Sequence, residues 1–253
     1  MEKTVYRATL LDRIKNFGIR KVLKRSAIGR FVYPYVQRLY RLYSIPMKRK
    51  RLQTHGVDCM RRLHQFLMSN GIEYYCDSGT LLGLVRDHGF IKNDDDIDIS
   101  IVEGTIRPIH LLKKLLDAGY GFVHAFDYDG QIHEFTVADS SHITIDFYFQ
   151  TLKKGEENIL DAWGVYWDPD KNYPSERANS VISYPFLKPS GFKLLDVLGI
   201  QVRIPSNETE VLESEYPNWR NPDPNFKHDG NIPHTDWPGY AYRLAKDEAL
   251  AYE

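Results

Sequence analysis

Cysteine is scarce in this 253-residue chain. Only Cys59 and Cys76 occur, too few for a disulfide framework and without the Cys-x-x-Cys spacing of a metal knuckle. A reducing, cytoplasmic setting is expected. No apolar run approaches the roughly 18 residues that a membrane-spanning helix needs, and residues 1–20 contain no continuous apolar stretch of the signal-peptide kind; the expectation is a chain neither exported nor threaded through a bilayer. Also missing are Gly-x-x-x-x-Gly-Lys-Ser/Thr, Gly-x-Gly-x-x-Gly, Gly-x-Ser-x-Gly and His-Glu-x-x-His. Their absence removes the signatures of ordinary NTPases, dinucleotide-binding folds, serine hydrolases and zincins. There is no internal repeat and no low-complexity tract. With 42% hydrophobic residues the chain can still build a substantial core.

Acidic residues are nearly missing from one stretch. Residues 1–57 hold 15 Lys or Arg against Glu2 and Asp12, net +13, whereas residues 58–253 hold 18 basic and 32 acidic side chains, net −14. The overall charge of −1 hides this division. Aromatics interleave with Arg30, Arg38 and Arg41 in the basic part, a mixture suited to an anionic membrane surface or to phosphate-bearing polymers. A basic helical arm packed on the acidic body explains it as well. Nucleic acid is not an expected partner, because the remaining surface would repel it.

Residues 50–70 carry Val57, Met60, Leu63 and Leu67 at a helical period, stopped by Gly71. A short strand at 72–76, a Ser78-Gly79 turn and a helix starting at Thr80 follow. Residues 96–102 alternate strictly, which predicts a half-buried strand with Ile97, Ile99 and Ile101 on one side and Asp96, Asp98 and Ser100 on the other. A helix is predicted over 105–118. Asp129-Gly130 should join residues 121–128 and 131–138 as a tight hairpin. Residues 141–150 alternate again and bring Asp146 out on the polar side. Residues 151–190 read as long loops, 199–204 as a last strand, and Asn207 as the cap of a short helix ending before an irregular tail.

Alternate strand residues project in parallel about 7 Å apart, so Asp96 and Asp98 can present hard oxygen ligands to one divalent cation. Asp146, on an apolar-backed strand of the right phase, is the candidate third ligand or a proton acceptor. The same run has Asp94, Asp96 and Asp98 at positions 1, 3 and 5 of an EF-hand pattern. That reading fails, since positions 6 and 12 are Ile99 and Thr105 instead of Gly and Glu. Gly79 permits a tight turn whose following helix N-terminus faces a phosphate, Gly83 permits close packing, and Arg86 is placed to reach phosphate oxygens. The aromatic set Trp163, Tyr166, Trp167 and Tyr173 offers stacking for a base or a cage for a quaternary ammonium. His88, His133 and His142 receive no role.

The run Gly79-Thr-Leu-Leu-Gly-Leu-Val-Arg86, then Gly89-Phe-Ile, then Asp94-Asp-Asp-Ile-Asp98 resembles the signature of the LicD-type phosphocholine transferases, the family that includes fukutin and fukutin-related protein. Ile145-Asp146-Phe147 resembles its later acidic strand, and Val202-Arg-Ile-Pro205 through Glu215-Tyr216-Pro-Asn-Trp219 its closing segment. Lys92-Asn93 and Pro217 depart from the usual pattern without removing a metal-ligand candidate.

The resemblance implies an α/β (α+β) class: a nucleotidyltransferase-like mixed β-sheet flanked by helices. Residues 1–50 would form a basic helical arm, 51–220 the catalytic domain and 221–253 an irregular tail. It further implies a transferase that moves phosphocholine or an alditol phosphate from a CDP-activated donor to a hydroxyl of a cell-surface glycan or its lipid-linked precursor, releasing CMP. Mg²⁺, or Mn²⁺ in its place, would sit on Asp96, Asp98 and Asp146, which are also the catalytic set. Gly79, Thr80, Gly83, Arg86 and Asp94 would bind substrate. The work would be cytoplasmic, peripheral at the inner membrane face. The alternatives are a nucleotidyltransferase that transfers a nucleoside monophosphate and releases pyrophosphate, and a non-catalytic glycan-binding module.

Overall fold

A 43-residue helix, α1 (Ala27–Ser69), leads into the body in the computed structural model, which describes residues 6, 27–166, 171–175, 177–223 and 232–252. The helix predicted over 50–70 is thus the inner part of a longer one, with no break at residue 50. Leu52, Cys59, Met60, Leu63 and Leu67 fall on one side of the helix, spaced by one or two turns with Cys59 and Met60 adjacent, and are fully buried. The helix ends where expected. Ile72 N–H donates to Leu67 O and Gly71 N–H to Met68 O, a Schellman arrangement made possible by the left-handed φ of +64° at Gly71.

The chain then builds β1 (Tyr74–Cys76), α2 (Ser78–Leu82) with a π-helical turn at Gly83–Asp87, β2 (Asp96–Ile101), α3 (Pro108–Asp117), β3 (Gly121–Tyr128), β4 (Gln131–Ala138) and β5 (Thr144–Tyr148). Next come β6 (Thr151–Leu152), β7 (Ile159–Tyr166), β8 (Ala178–Leu187), β9 (Phe192–Val197), β10 (Ile200–Pro205), α4 (Glu208–Glu215), β11 (Thr235–Leu244) and α5 (Lys246–Leu250). One nine-stranded sheet has the order β1-β2-β5-β4-β3-β11-β8-β7-β6, and β9 and β10 form a separate hairpin. Only β2 and β5 run parallel among the described pairs; the sheet is mixed, as expected.

One side of the central strands is apolar. Ile97, Ile99, Ile145, Phe147, Phe135 and Val137 join α1 and α3 in the main core, whose burial supplies the favourable term at about 25 cal/mol per Å² of apolar surface removed from water. The opposite side is polar, and the register aligns it in rows. Asp98 lies beside Asp146 and Asp146 beside Thr136; one step along, Ser100 lies beside Tyr148 and Tyr148 beside Glu134.

Four expectations need correction. Residues 151–190 are not long loops: β7 and β8 pair over eight residues there. Their alternation is interrupted by Gly164 and Pro185, which hid them. The tail is not irregular at 235–250, where β11 bridges β3 and β8 in the sheet, with Pro238 and Gly239 at a bulge between Trp237 and Ala241. β2 is not half-buried, because its polar side is covered too; Asp98 is 7% and Ser100 0% exposed. Asn207 does not cap α4 with its side chain, which instead accepts from the backbone N–H of Ser190.

Candidate active site

β2 delivers its carboxylates to a cavity of about 450 Å³. Ser78, Gly79, Asp94, Asp98, Glu134, Tyr148, Gln150 and Tyr216 line the acidic side, while Ala162, Trp163, Gly164, Val165, Tyr184 and Phe186 line the other. The far wall comes from β7 and β8, four and three strands away from β4 in the sheet order. The sheet must therefore curl to bring them across. A bulge in the β3–β4 pairing at Phe126–Asp127 leaves His133 outside the ladder, and its ring stacks on Trp163 with centroids 4.0 Å apart. Tyr128 and Trp237 pack edge-on against the same indole.

The acidic wall is tightly built. Thr80 holds Asp98 twice: its hydroxyl accepts from Asp98 N–H at 2.8 Å, and its own N–H donates to Asp98 Oδ2 at 3.4 Å. Tyr148 Oη donates to Asp98 Oδ1 at 3.3 Å, and Thr136 Oγ1 donates to Asp146 Oδ1. Burial, then the charges of Asp96, Asp94 and Asp146, hold the Asp98 carboxyl well above the ordinary carboxylate range. Burial, then Asp96 and Glu134, do the same to Asp146, and burial followed by Asp95 raises Asp96. Asp94 is pushed up to about 7 by burial and by Asp96. Lys48 answers part of this charge: burial lowers its ammonium, but its 2.9 Å ion pair with Asp95, together with the charges of Asp96 and Asp146, raises it on balance.

The donor set fits a hard divalent cation. Asp94, Asp95 and Asp96 each offer an oxygen within 4.8 Å of the others. Asp94 Oδ2 is buried without a hydrogen-bond partner, and it lies 2.9 Å from the point a β-carbon on Gly79 would occupy, with Asp98 Oδ2 3.3 Å from the same point. Gly79 thus leaves open a cradle between two carboxylate oxygens. Oxygen-only ligands of this kind suit Mg²⁺ or Mn²⁺.

Of the expected site residues, Asp98, Gly79 and Asp94 line the cavity, and Asp96 and Asp146 stand beside it in the same charge cluster. The glycine is there for space; the left-handed φ of the turn falls on Ser78, at +47°. Two N–H groups of the turn expected to face a phosphate are engaged by carboxylates instead: Ser78 N–H donates to Asp77 and Thr80 N–H to Asp98. Thr80 is fully buried behind Asp98. Gly83 lies against the backbone of the 89–91 loop, where a β-carbon would stand 2.6 Å from Gly89 O. Arg86 does not reach for the cavity: its guanidinium forks onto Asp87 at 2.7 and 2.8 Å and donates to Trp219 O. Trp163 joins the cavity wall, Tyr166 and Tyr173 instead bond to Asp236 and Ser180, and Trp167 lies outside the described residues.

Sequence reasoning missed Glu134, Tyr148, Asp77 and Glu215. Glu134 and Tyr148 share the polar face of β4 and β5 by simple alternation, a signal present in the chain. Asp77 is buried at the head of α2, where it accepts from Ser78 N–H, the Ser100 hydroxyl and Gln150 Nε2. Burial, then Asp77, pushes Glu215 well above the ordinary range. Nothing local marks either as a site residue, since α4 and α2 meet only in three dimensions.

A mixed sheet that presents carboxylates at alternate strand positions beside a glycine turn defines a nucleotidyltransferase-type domain. The chain belongs to the family described as LicD/FKTN/FKRP, nucleotidyltransferase domain, which matches residues 71–207, and so carries the transferase domain of that family. It is 42% identical over 164 residues to the uncharacterized protein RT0683 of Rickettsia typhi (strain ATCC VR-144 / Wilmington), a match covering 56% of this chain and 52% of that protein. It is 44% identical over 62 residues to the uncharacterized protein RP689 of Rickettsia prowazekii (strain Madrid E), covering 24% and 23%. The chain thus spans about half the length of the first of these relatives and about a quarter of the second. Among solved structures, lincosamide antibiotic adenylyltransferase LnuA with lincomycin bound is similar at a TM-score of 0.37 and 14% identity, over 60% of this chain and 80% of that one. That likeness is too loose to bear on the reaction.

Proposed function

We propose that the domain transfers a substituted phosphate, phosphocholine or an alditol phosphate, from a CDP-activated donor to a glycan hydroxyl and releases CMP. The observation that carries this reading is the open cradle between Asp94 Oδ2 and Asp98 Oδ2 at Gly79, facing an aromatic wall across one cavity. Asp94, Asp96 and Asp98, with Asp146 beside them, would hold Mg²⁺. When bound, the ion supplies the positive charge that offsets the donor's diphosphate and the charge developing on CMP.

The chain's own groups account for the rest. Trp163, Tyr184 and Phe186 offer faces for the cytosine, at about 1–3 kcal/mol per stacked base. Thr80 and Tyr148 fix the Asp98 carboxylate in orientation. Glu134, 12% exposed at the cavity and pushed up to about 7 by burial, is poised near neutrality to take the proton of the attacking hydroxyl. The acceptor oxygen bonds to the phosphorus bearing the head group, the bond from that phosphorus to CMP's oxygen breaks, and the proton passes to Glu134. Asp146 is the other candidate for this proton, but its carboxylate already accepts from the Thr136 hydroxyl and is not among the residues that line the cavity.

Incubation with CDP-choline, CDP-ribitol, CDP-glycerol and CDP-ethanolamine, with Mg²⁺ and candidate glycans, tests the reading. Acceptor-dependent CMP release is expected. A nucleotide-labelled acceptor with pyrophosphate release would establish the nucleotidyltransferase alternative instead, and glycan binding with no turnover of any donor would establish a binding module.

A further inference from the structure

Helix α1 continues outward from the core for about seven turns beyond Leu52, and its described outer side chains form a pattern that catalysis does not use. Tyr35, Leu42, Tyr43 and Met47 are 61%, 62%, 70% and 40% exposed. At about 100° per residue they fall within an arc of about 140° on one side of the helix. Arg38, also exposed, lies about 40° beyond the edge of that arc, and the exposed Lys50 lies within it. Residues 27–51 contain seven Lys or Arg and no Asp or Glu. Exposed aromatic and aliphatic side chains in a segment of one charge sign are not stabilised by water, and they match a surface that is anionic outside and apolar beneath.

We propose that the outer part of α1 lies on an anionic phospholipid bilayer, with Leu42 and Tyr43 in the headgroup boundary and the basic residues on the lipid phosphates. Lying on the surface is the mode that fits, since no helix among the described residues is long and apolar enough to cross a membrane. The remainder of the chain, net −14 over residues 58–253, is repelled by the same surface. The opposing charges therefore orient the molecule arm-down. Lys48, one residue beyond Met47, ion-pairs with Asp95 at the acidic rim; a docked helix holds the cavity close to the bilayer, where an acceptor built on lipid would be found. Docking is independent of the proposed reaction, and the vesicle assay below needs no turnover.

The test is cosedimentation of the full chain with vesicles of phosphatidylglycerol and phosphatidylcholine, against phosphatidylcholine alone, in about 0.1 M salt. The expected result is binding that requires phosphatidylglycerol, falls as salt rises, and weakens about tenfold in L42S/Y43S. R38Q/K50Q should weaken binding severalfold while leaving the apolar contribution intact, and it serves as the second reading should the first variant lower the melting temperature. Equal binding to both vesicle types overturns the proposal, as does binding untouched by L42S/Y43S. Binding to soluble polyphosphate that is as strong as binding to vesicles and indifferent to L42S/Y43S also overturns it, showing that the arm takes an anionic polymer.

Discussion

Replacing Asp98 with Asn should stabilise the metal-free protein while abolishing transfer. In chelator, Asp98 is 7% exposed among Asp94, Asp96, Asp146 and Asp77, and Lys48 offsets part of the charge on Asp96 and Asp146. Asp96, two residues along the same strand, stands about 7 Å away, and two full charges at that distance repel by roughly 2 kcal/mol at an effective dielectric near 20. Protonation already relieves part of this, as the raised carboxyls show, so the net gain on neutralising Asp98 is about 1–2 kcal/mol. Asparagine keeps the local bonds, since its carbonyl can accept from Thr80 N–H and its amide can donate to Tyr148 Oη. For a domain of this size that gain corresponds to a rise in Tm of about 2–8 °C. Differential scanning fluorimetry in EDTA and in Mg²⁺ checks it: Asp98→Asn should melt higher than the parent in EDTA, lose most of the Mg²⁺-induced shift, and lose at least about 10³-fold in CMP release, equivalent to about 4 kcal/mol of barrier. A variant that melts lower in EDTA and keeps its response to Mg²⁺ would refute the view that this carboxylate is held against its electrostatic preference in order to bind a cation.

The other predictions concern pH, space and the proton. Asp94 and Glu134 both sit at about 7, above their unfolded values, so the folded chain binds these protons more tightly than the unfolded chain; the stability they contribute is fully present below about pH 4 and lost as pH rises through about 7. In EDTA the Tm should therefore fall between pH 6 and pH 8, and the Mg²⁺-induced shift should be larger at pH 8; a Mg²⁺ shift that shrinks with rising pH contradicts the cradle. Gly79→Ala places a carbon 2.9 Å from Asp94 Oδ2, and because a displacement near 1 Å can cost about 10²-fold, CMP release should fall by at least that factor with weakened Mg²⁺ binding by calorimetry; near-parental activity would show that the space is not used. Glu134→Gln should lower kcat about 10²–10⁴-fold with the Mg²⁺ affinity unchanged, whereas a loss confined to Mg²⁺ affinity would make Glu134 a ligand instead of a proton acceptor.

Much of the local structure was written in short stretches of chain. Gly71 ends α1 because its own φ is left-handed, Asp129-Gly130 turns the β3–β4 hairpin with positive φ at both residues, and the alternation at 96–101 fixes which side of β2 is acidic. Each depends on neighbours a few residues away, so the sequence alone determined them, and it also determined that Asp96 and Asp98 lie on the polar side of one strand, Asp146 on the polar side of another, and that a family signature runs through 79–98; the parallel pairing that sets Asp146 beside Asp98 is tertiary. Tertiary structure decided the rest. The facing wall of Trp163, Tyr184 and Phe186 exists only because the sheet curls, a consequence of register and bulges among strands that Gly164, Pro185 and Pro238 make hard to read. Arg86 was drawn to the opposite charge of the exposed Asp87 beside it, and Thr80 to Asp98 eighteen residues on because a buried carboxylate needs donors. That Asp94 Oδ2 and Asp98 Oδ2 converge at Gly79 depends on how a loop, a strand and a short helix pack together, and distances between such segments are set by the whole core, which no local pattern encodes.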